Sequence, residues 1–106
     1  MEIEKAKTNA VEIARQILND EIHMVLGCRK IQPFLECLDL RNHDDYMIFI
    51  VVDSEADPYP ISEEERSQWN KESLNKRDED YKTAVAGYEP DVKKACEKIL
   101  KGFLTE

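Results

Sequence analysis

Glycine and proline are scarce in this chain of 106 residues, which contains 3 glycines and 4 prolines. Turn-rich sandwiches and low-complexity segments use more of both residue types, so the composition favours a compact helical protein. A chain of this length is expected to bury one hydrophobic core and not two. We therefore predict a single domain over residues 1–106 with a mainly α fold, and an α+β fold as the minor alternative.

Long apolar runs are also missing. No stretch approaches the roughly 20 residues that a helix needs to cross a bilayer. The N-terminal segment is charged and amphipathic, unlike a signal peptide. We expect no membrane partner and a cytoplasmic location.

Cysteine and histidine are too few and too dispersed for the common metal sites. The three cysteines, Cys28, Cys37 and Cys96, form no C-x-x-C pair, and the two histidines do not cluster. We expect reduced, mostly buried thiols, no disulfide and no cofactor. No arrangement of side chains matches a known catalytic signature, so the chain is predicted not to be an enzyme.

Basic residues are almost absent from the middle of the chain. The net charge is −8, and residues 36–65 hold ten acidic residues against one basic residue, Arg41. The rest of the chain holds 13 acidic and 14 basic residues, so the imbalance belongs to this middle segment. Such a segment repels nucleic acid and anionic lipid and attracts a basic protein.

Helical periodicity accounts for most of the remaining chain. Apolar residues recur every three or four positions from about residue 3 to 19 and again from Met24 to Leu38, with His23 or Asp20 as the cap of the second helix. Pro33 lies inside that second series. It predicts either a kink or a restart of the helix.

The C-terminal part predicts two further helical segments. Ser62 and Glu65 have the spacing of a capping box, which predicts a short helix through Trp69. Asn70 can cap a longer helix, whose apolar stripe continues past Pro90. Pro90 either kinks one long helix or opens a new one.

The most apolar run, residues 46–52, reads "YMIFIVV" and is rich in β-branched and aromatic side chains. This pattern is typical of a strand buried on both faces, so the fold is predicted to contain one central apolar strand or extended segment. A lone strand leaves its backbone groups unpaired. Three interpretations stay open: an unseen short partner segment, pairing between two molecules, or a buried extended or helical segment.

Carboxylates follow this run directly. Asp53, Glu55 and Asp57 alternate, and Glu64 is the twelfth residue counted from Asp53, a spacing similar to that of a calcium loop. Pro58 stands where such a loop requires glycine, which argues against calcium. The alternative function from this pattern is a small metal-assisted hydrolase that uses the first three carboxylates.

Five segments together carry a resemblance: "ARQILNDEI", "GCRKI", "IVVDSEADPYP", "RSQW" and "ESLNKRD". Over roughly Ala14 to Leu100 the chain resembles a family of small uncharacterised bacterial proteins with a D-S-E-x-D turn after an apolar run. Pro33 departs from the family pattern. The resemblance implies an order of elements and no catalytic residues.

The sequence thus predicts a non-enzymatic acidic module that binds a basic protein, in the manner of an immunity protein or inhibitor that masks a toxin nuclease. Tyr59 and Trp69 flank the acidic segment and can serve as aromatic anchors. The predicted partner-binding residues are Asp53, Glu55, Asp57, Tyr59, Glu63, Glu64 and Trp69. An accessory homodimer held by the strand is a further alternative.

Overall fold

The computed structural model describes residues 1–104, and every regular element in that range is a helix. In chain order these are α1 (Ile3–Leu18), α2 (Met24–Cys37), α3 (Met47–Ala56), α4 (Glu63–Ser67), α5 (Lys71–Ala84), a 3₁₀ turn (Ala86–Tyr88) and α6 (Glu89–Leu104). The predicted mainly α fold is confirmed.

The predicted strand at residues 46–52 is wrong, because this run lies in a turn and in α3. With helical spacing, Phe49, Val52 and Ala56 fall on one side of α3 and are fully buried. A helix satisfies its backbone groups within the segment, so no partner strand is needed. Of the three open interpretations, the buried helical segment is the one that the structure shows.

The core lies between α1, α2, α3 and α6. α1 packs against both α2 and α6, while α3 packs against α2 and, to a lesser extent, α6. Small residues on α1, Ala6, Ala10 and Ala14, have no exposed surface, so the neighbouring helices approach closely. Cys28 and Cys96 are buried in the same core as small apolar side chains.

The helix starts agree with the sequence patterns, whereas α4 ends at Ser67 and not at Trp69 as predicted. His23 caps α2 by accepting from the backbone N–H of Val25 at 3.1 Å, and α2 runs through Pro33 without a break. Ser62 and Glu65 form the predicted capping box. Pro90 opens a new helix rather than kinking a long one, since it lies in the first turn of α6, where a missing N–H costs nothing.

α4 and α5 form an arm with no buried residue. The Arg66 guanidinium in α4 donates two hydrogen bonds, of 2.8 and 2.9 Å, to the two carboxylate oxygens of Asp78 in α5. Near the other end of α5, Tyr81 is partly buried against His23 and Tyr59. The molecule is elongated, with extents of 50 × 24 × 24 Å.

Among residues 1–104, no helix has both the length and the apolar character that a membrane span requires.

Candidate functional site

The ten carboxylates of residues 36–65 lie along one continuous part of the chain: the end of α2, the turn before α3, α3 itself, and the loop and helix that follow it. Their value as a binding surface depends on whether other parts of the protein neutralise them. Three of them, Asp45, Asp53 and Glu65, have partners for their side chains within the described residues.

Asp45 accepts a hydrogen bond from Lys98 Nζ at 3.0 Å, and this bond lowers the pKa of its carboxyl group. Asp53 pairs with Arg29 at 2.9 Å. Glu65 accepts from the backbone N–H and the hydroxyl of Ser62, which lowers its pKa. Each of these carboxylates therefore has a structural use.

The other seven carboxylates are exposed, and within residues 1–104 none has an ion pair or a side-chain hydrogen bond. They are Glu36, Asp39, Asp44, Glu55, Asp57, Glu63 and Glu64. We call this set the acidic surface. Arg41, the single basic residue among residues 36–65, donates to Gln32 Oε1 at 3.2 and 3.4 Å and does not neutralise any of them.

Asp53, which the sequence placed at the centre of the partner-binding residues, lies in a structural network between α2 and α3. Its Oδ1 accepts from Arg29 Nε and its Oδ2 accepts from Gln32 Nε2, both at 2.9 Å. Gln32 is buried, and it also donates to the backbone oxygens of Cys28 and Phe49. This carboxylate fixes α3 on α2 and is only partly accessible to a partner.

The helical conformation also separates Asp53, Glu55 and Asp57. On a helix, residues two positions apart in the sequence are separated by about 200° around the helix axis. Glu55 therefore points away from Asp53 and Asp57. Within residues 1–104, no group of three or more histidine, cysteine, aspartate or glutamate side chains is arranged to hold a metal ion. The geometry does not assemble the carboxylate site that the hydrolase alternative requires.

Asp39 has an unusual backbone conformation. It follows the last turn of α2 with a φ of 59°, and its neighbour Leu40 donates to the Leu35 oxygen, which completes a Schellman motif. Glycine is the usual residue at this position, and a negative charge at a helix C-terminus is unfavourable. Asp20 adopts the same conformation after α1, but it is paired with Lys93 at 3.4 Å.

The two predicted aromatic anchors differ in exposure. Tyr59 is partly buried and its ring lies edge-on to that of Tyr81, at a centroid distance of 6.0 Å. Trp69 is 36% exposed, and Arg77 stacks over its ring at 5.5 Å. Tyr59 thus packs within the protein, whereas Trp69 offers an accessible ring on the arm.

The thiols offer no accessible nucleophile in the core. Cys28 and Cys96 are fully buried, and burial raises the pKa of both, that of Cys96 to about 12. All three cysteines are free. Cys37 is partly exposed, and its Sγ donates to the backbone oxygen of Met1 at 3.3 Å.

Sequence reasoning missed one feature of this region, the outward side of α3. Met47 and Val51 lie one turn apart and are 43% and 36% exposed. Interpreted as a strand, the run 46–52 buries both faces. Applying helical spacing to it would have placed these two residues opposite Phe49 and Val52.

The resemblance to small bacterial proteins stays a prediction, because neither a family model, nor a curated protein, nor a solved structure matches this chain significantly.

Proposed function

We propose that this protein is a non-enzymatic module that binds a basic protein through its acidic surface. One observation carries the proposal: within residues 1–104, seven exposed carboxylates of one chain segment have no cationic partner. The position of these residues on α2, α3, α4 and the intervening loops gives them a defined arrangement, since α3 is fixed on α2 through Asp53.

Clustered negative charge destabilises a folded protein through self-repulsion. Elsewhere the chain intersperses its charges, and several acidic residues are paired, as in Arg66–Asp78 and Lys93–Glu89. A purely structural surface can avoid the repulsion in the same way. A cationic partner offsets it, and complementary fields accelerate association.

Asp39 supports this reasoning at one position. The residue has a left-handed backbone conformation and an unfavourable charge at the end of α2, and both features favour glycine or a cation there. Within residues 1–104, Asp39 has no ion pair, in contrast to Asp20. A carboxylate retained against these two effects is consistent with a use in binding.

The partner class that best fits the surface is a protein whose own basic face binds phosphate groups, such as a nuclease. Such a face is complementary to a row of carboxylates, and covering it would block access of nucleic acid. This would make the module an inhibitor or immunity protein. Nucleic acid itself is repelled by the same surface, so it is not the proposed ligand.

The test compares two variants that lose the same amount of charge. In the first, Glu55→Gln, Asp57→Asn, Glu63→Gln and Glu64→Gln neutralise part of the acidic surface. In the second, four exposed carboxylates outside it are neutralised: Glu72→Gln, Glu79→Gln, Asp80→Asn and Glu97→Gln. Each protein is immobilised, loaded with cell extract at low salt, and eluted at high salt.

We expect the wild-type protein and the second variant to retain the same basic protein at low salt and to release it at high salt, whereas the first variant retains much less. Inhibition of a retained nuclease by the wild-type protein would support the immunity function. The proposal fails if the wild-type protein retains no basic protein, or if both variants lose binding equally, since net charge alone would then explain retention.

The homodimer alternative assumed that two molecules pair through a strand, but residues 47–56 are helical. A homodimer through another contact stays a prediction. Sedimentation equilibrium of the wild-type protein at low and high salt would test it.

A further inference from the structure

The two sides of α3 differ in exposure to solvent. Its inward side, Phe49, Val52 and Ala56, is fully buried in the core. Its outward side exposes Met47 and Val51, which are one helical turn apart and therefore adjacent on the helix surface. Three other large apolar side chains are similarly exposed in the described chain. Met1 lies before α1, Ile3 lies on α1, and Trp69 lies on the arm.

One polar and one apolar neighbour extend this outward side, and neither of them is charged. Ser54 continues it toward the end of α3, and Ile50 borders it as a partly buried residue. We call Met47, Ile50, Val51 and Ser54 the α3 face. It is apolar at its centre, and helical spacing places its most exposed residues, Met47 and Val51, on one stripe.

Carboxylates border the α3 face at both ends. Asp44 precedes the helix by three residues, and Glu55 follows Val51 by one turn. Both belong to the acidic surface. Of the cations near α3, Arg29 is paired with Asp53 and Lys98 is paired with Asp45, while Arg41 donates to the neutral Gln32. Asp44 and Glu55 have no ion pair within residues 1–104, and they leave negative charge at both ends of the α3 face.

We propose that the α3 face is the anchoring contact for the basic partner, and that its occupant is an amphipathic cationic segment of that partner. Such a segment carries apolar side chains for Met47 and Val51, with lysine or arginine at its edges for Asp44 and Glu55. The inference rests on the proposed function. It adds to that function the requirement that the partner be apolar as well as basic.

The charge and size of the face argue against two other occupants. In a two-fold dimer through this face, Asp44 and Glu55 of one copy would lie near the same carboxylates of the other, which is repulsive. Two exposed side chains also supply much less area than a stable dimer interface needs. An anionic bilayer would be repelled by the same carboxylates.

The two parts of the surface have separable effects on binding. Exposed charges chiefly change the association rate and its salt dependence. Buried apolar anchors chiefly change the dissociation rate, and methionine is well suited to contact partners of irregular shape. The inference therefore predicts that Met47 and Val51 control the residence time of the partner.

The test uses two synthetic peptides of about 18 residues, or five helical turns. One has lysine and leucine at helical spacing, and the other has serine in place of every leucine with the same charge. Their dissociation constants are measured by fluorescence anisotropy for the wild-type protein, for Met47→Gln/Val51→Gln, and for Ile3→Gln as the matched control. Ile3 is 57% exposed and lies outside the α3 face. Circular dichroism verifies that each variant is folded.

We expect the lysine–leucine peptide to bind the wild-type protein and Ile3→Gln at least about tenfold more tightly than the lysine–serine peptide. In Met47→Gln/Val51→Gln this preference should fall to about threefold or less, through faster dissociation. Amide chemical-shift changes in the wild-type protein should include residues 47, 50, 51 and 54.

Each other outcome has a distinct meaning. If both peptides bind equally and only at low salt, the inference fails while the proposed function stands. If neither peptide binds at low salt, both fail. If the preference persists in the double variant, or if the shifts map elsewhere, the α3 face is not the anchor. Self-association that Met47→Gln/Val51→Gln abolishes would instead assign the face to a second copy.

Discussion

The Arg29 guanidinium donates a hydrogen bond to Asp53 Oδ1 over 2.9 Å, and this ion pair joins the middle of α2 to the second half of α3. Gln32 Nε2 binds the other carboxylate oxygen at the same distance. The two contacts hold α3 on α2 at the rotation in which Phe49 and Val52 are buried and Met47 and Val51 are exposed. The burial of Phe49 and Val52 stabilises the same rotation.

Replacing Asp53 by alanine should lower the free energy of unfolding by about 1 to 2 kcal/mol. Asp53→Ala removes two hydrogen bonds to a charged group. Their contribution to stability is reduced by solvent, because Arg29 and Asp53 keep about a third of their side-chain surface exposed. Glu55→Ala, two residues away on the exposed side, should change stability by less than about 0.5 kcal/mol. Urea unfolding measures both. If Asp53→Ala and Glu55→Ala change the free energy of unfolding equally, the contacts of Asp53 with Arg29 and Gln32 do not stabilise the fold.

The helices that have regular apolar spacing and side-chain caps could be predicted from the sequence. Such features are local: the cap of α2 by His23 and the capping box of Ser62 and Glu65 involve residues within three positions of each other. α1 begins and ends within one residue of the prediction. Local patterns determined these elements because their backbone bonds close over three or four residues.

The conformation of residues 46–52 and the use of Asp53 could not be predicted with the same rules. A continuous apolar run has no period, so it fits a buried strand and a buried helix equally. The partner of Asp53 is 24 residues away in the sequence. Which carboxylates remain unpaired depends on such distant contacts, and composition reveals only how many carboxylates there are.

Gly27 of α2 packs against Ile17 of α1. A Cβ atom there would be 2.5 Å from Ile17 Cγ1 and 2.7 Å from Ile17 Cδ1. Gly27→Ala should therefore be destabilising, because overpacking of about 1 to 3 kcal/mol outweighs the gain of about 1 kcal/mol in helix propensity. Gly102→Ala is the matched control, since nothing lies within 4 Å of its Cβ position. It should be stabilising, and thermal unfolding of the two variants should give shifts of opposite sign.

His23 should make stability depend on pH between about 7 and 5. Desolvation, then the charges of Arg29 and Arg66, lower its pKa from 6.5, and its neutral Nδ1 accepts the capping hydrogen bond from Val25. Below pH 6.5 the unfolded chain binds a proton that the folded chain resists, so stability falls as the pH falls. His23→Asn keeps a capping side chain without titration. Its free energy of unfolding should fall less over this range, and parallel curves for the two proteins would contradict the assignment.

Asp39→Gly should increase stability and weaken binding at the same time. Glycine removes the unfavourable left-handed conformation at φ 59° and the negative charge at the end of α2, so we expect a gain of about 0.5 to 1 kcal/mol. Because Asp39 belongs to the acidic surface, the association rate of the lysine–leucine peptide should fall, chiefly at low salt. Asp20→Gly is the control: it has the same conformation, but it loses the ion pair with Lys93, so it should gain less stability and leave association nearly unchanged. A stabilised Asp39→Gly protein that binds the peptide as fast as the wild type would show that this carboxylate is not part of the binding surface.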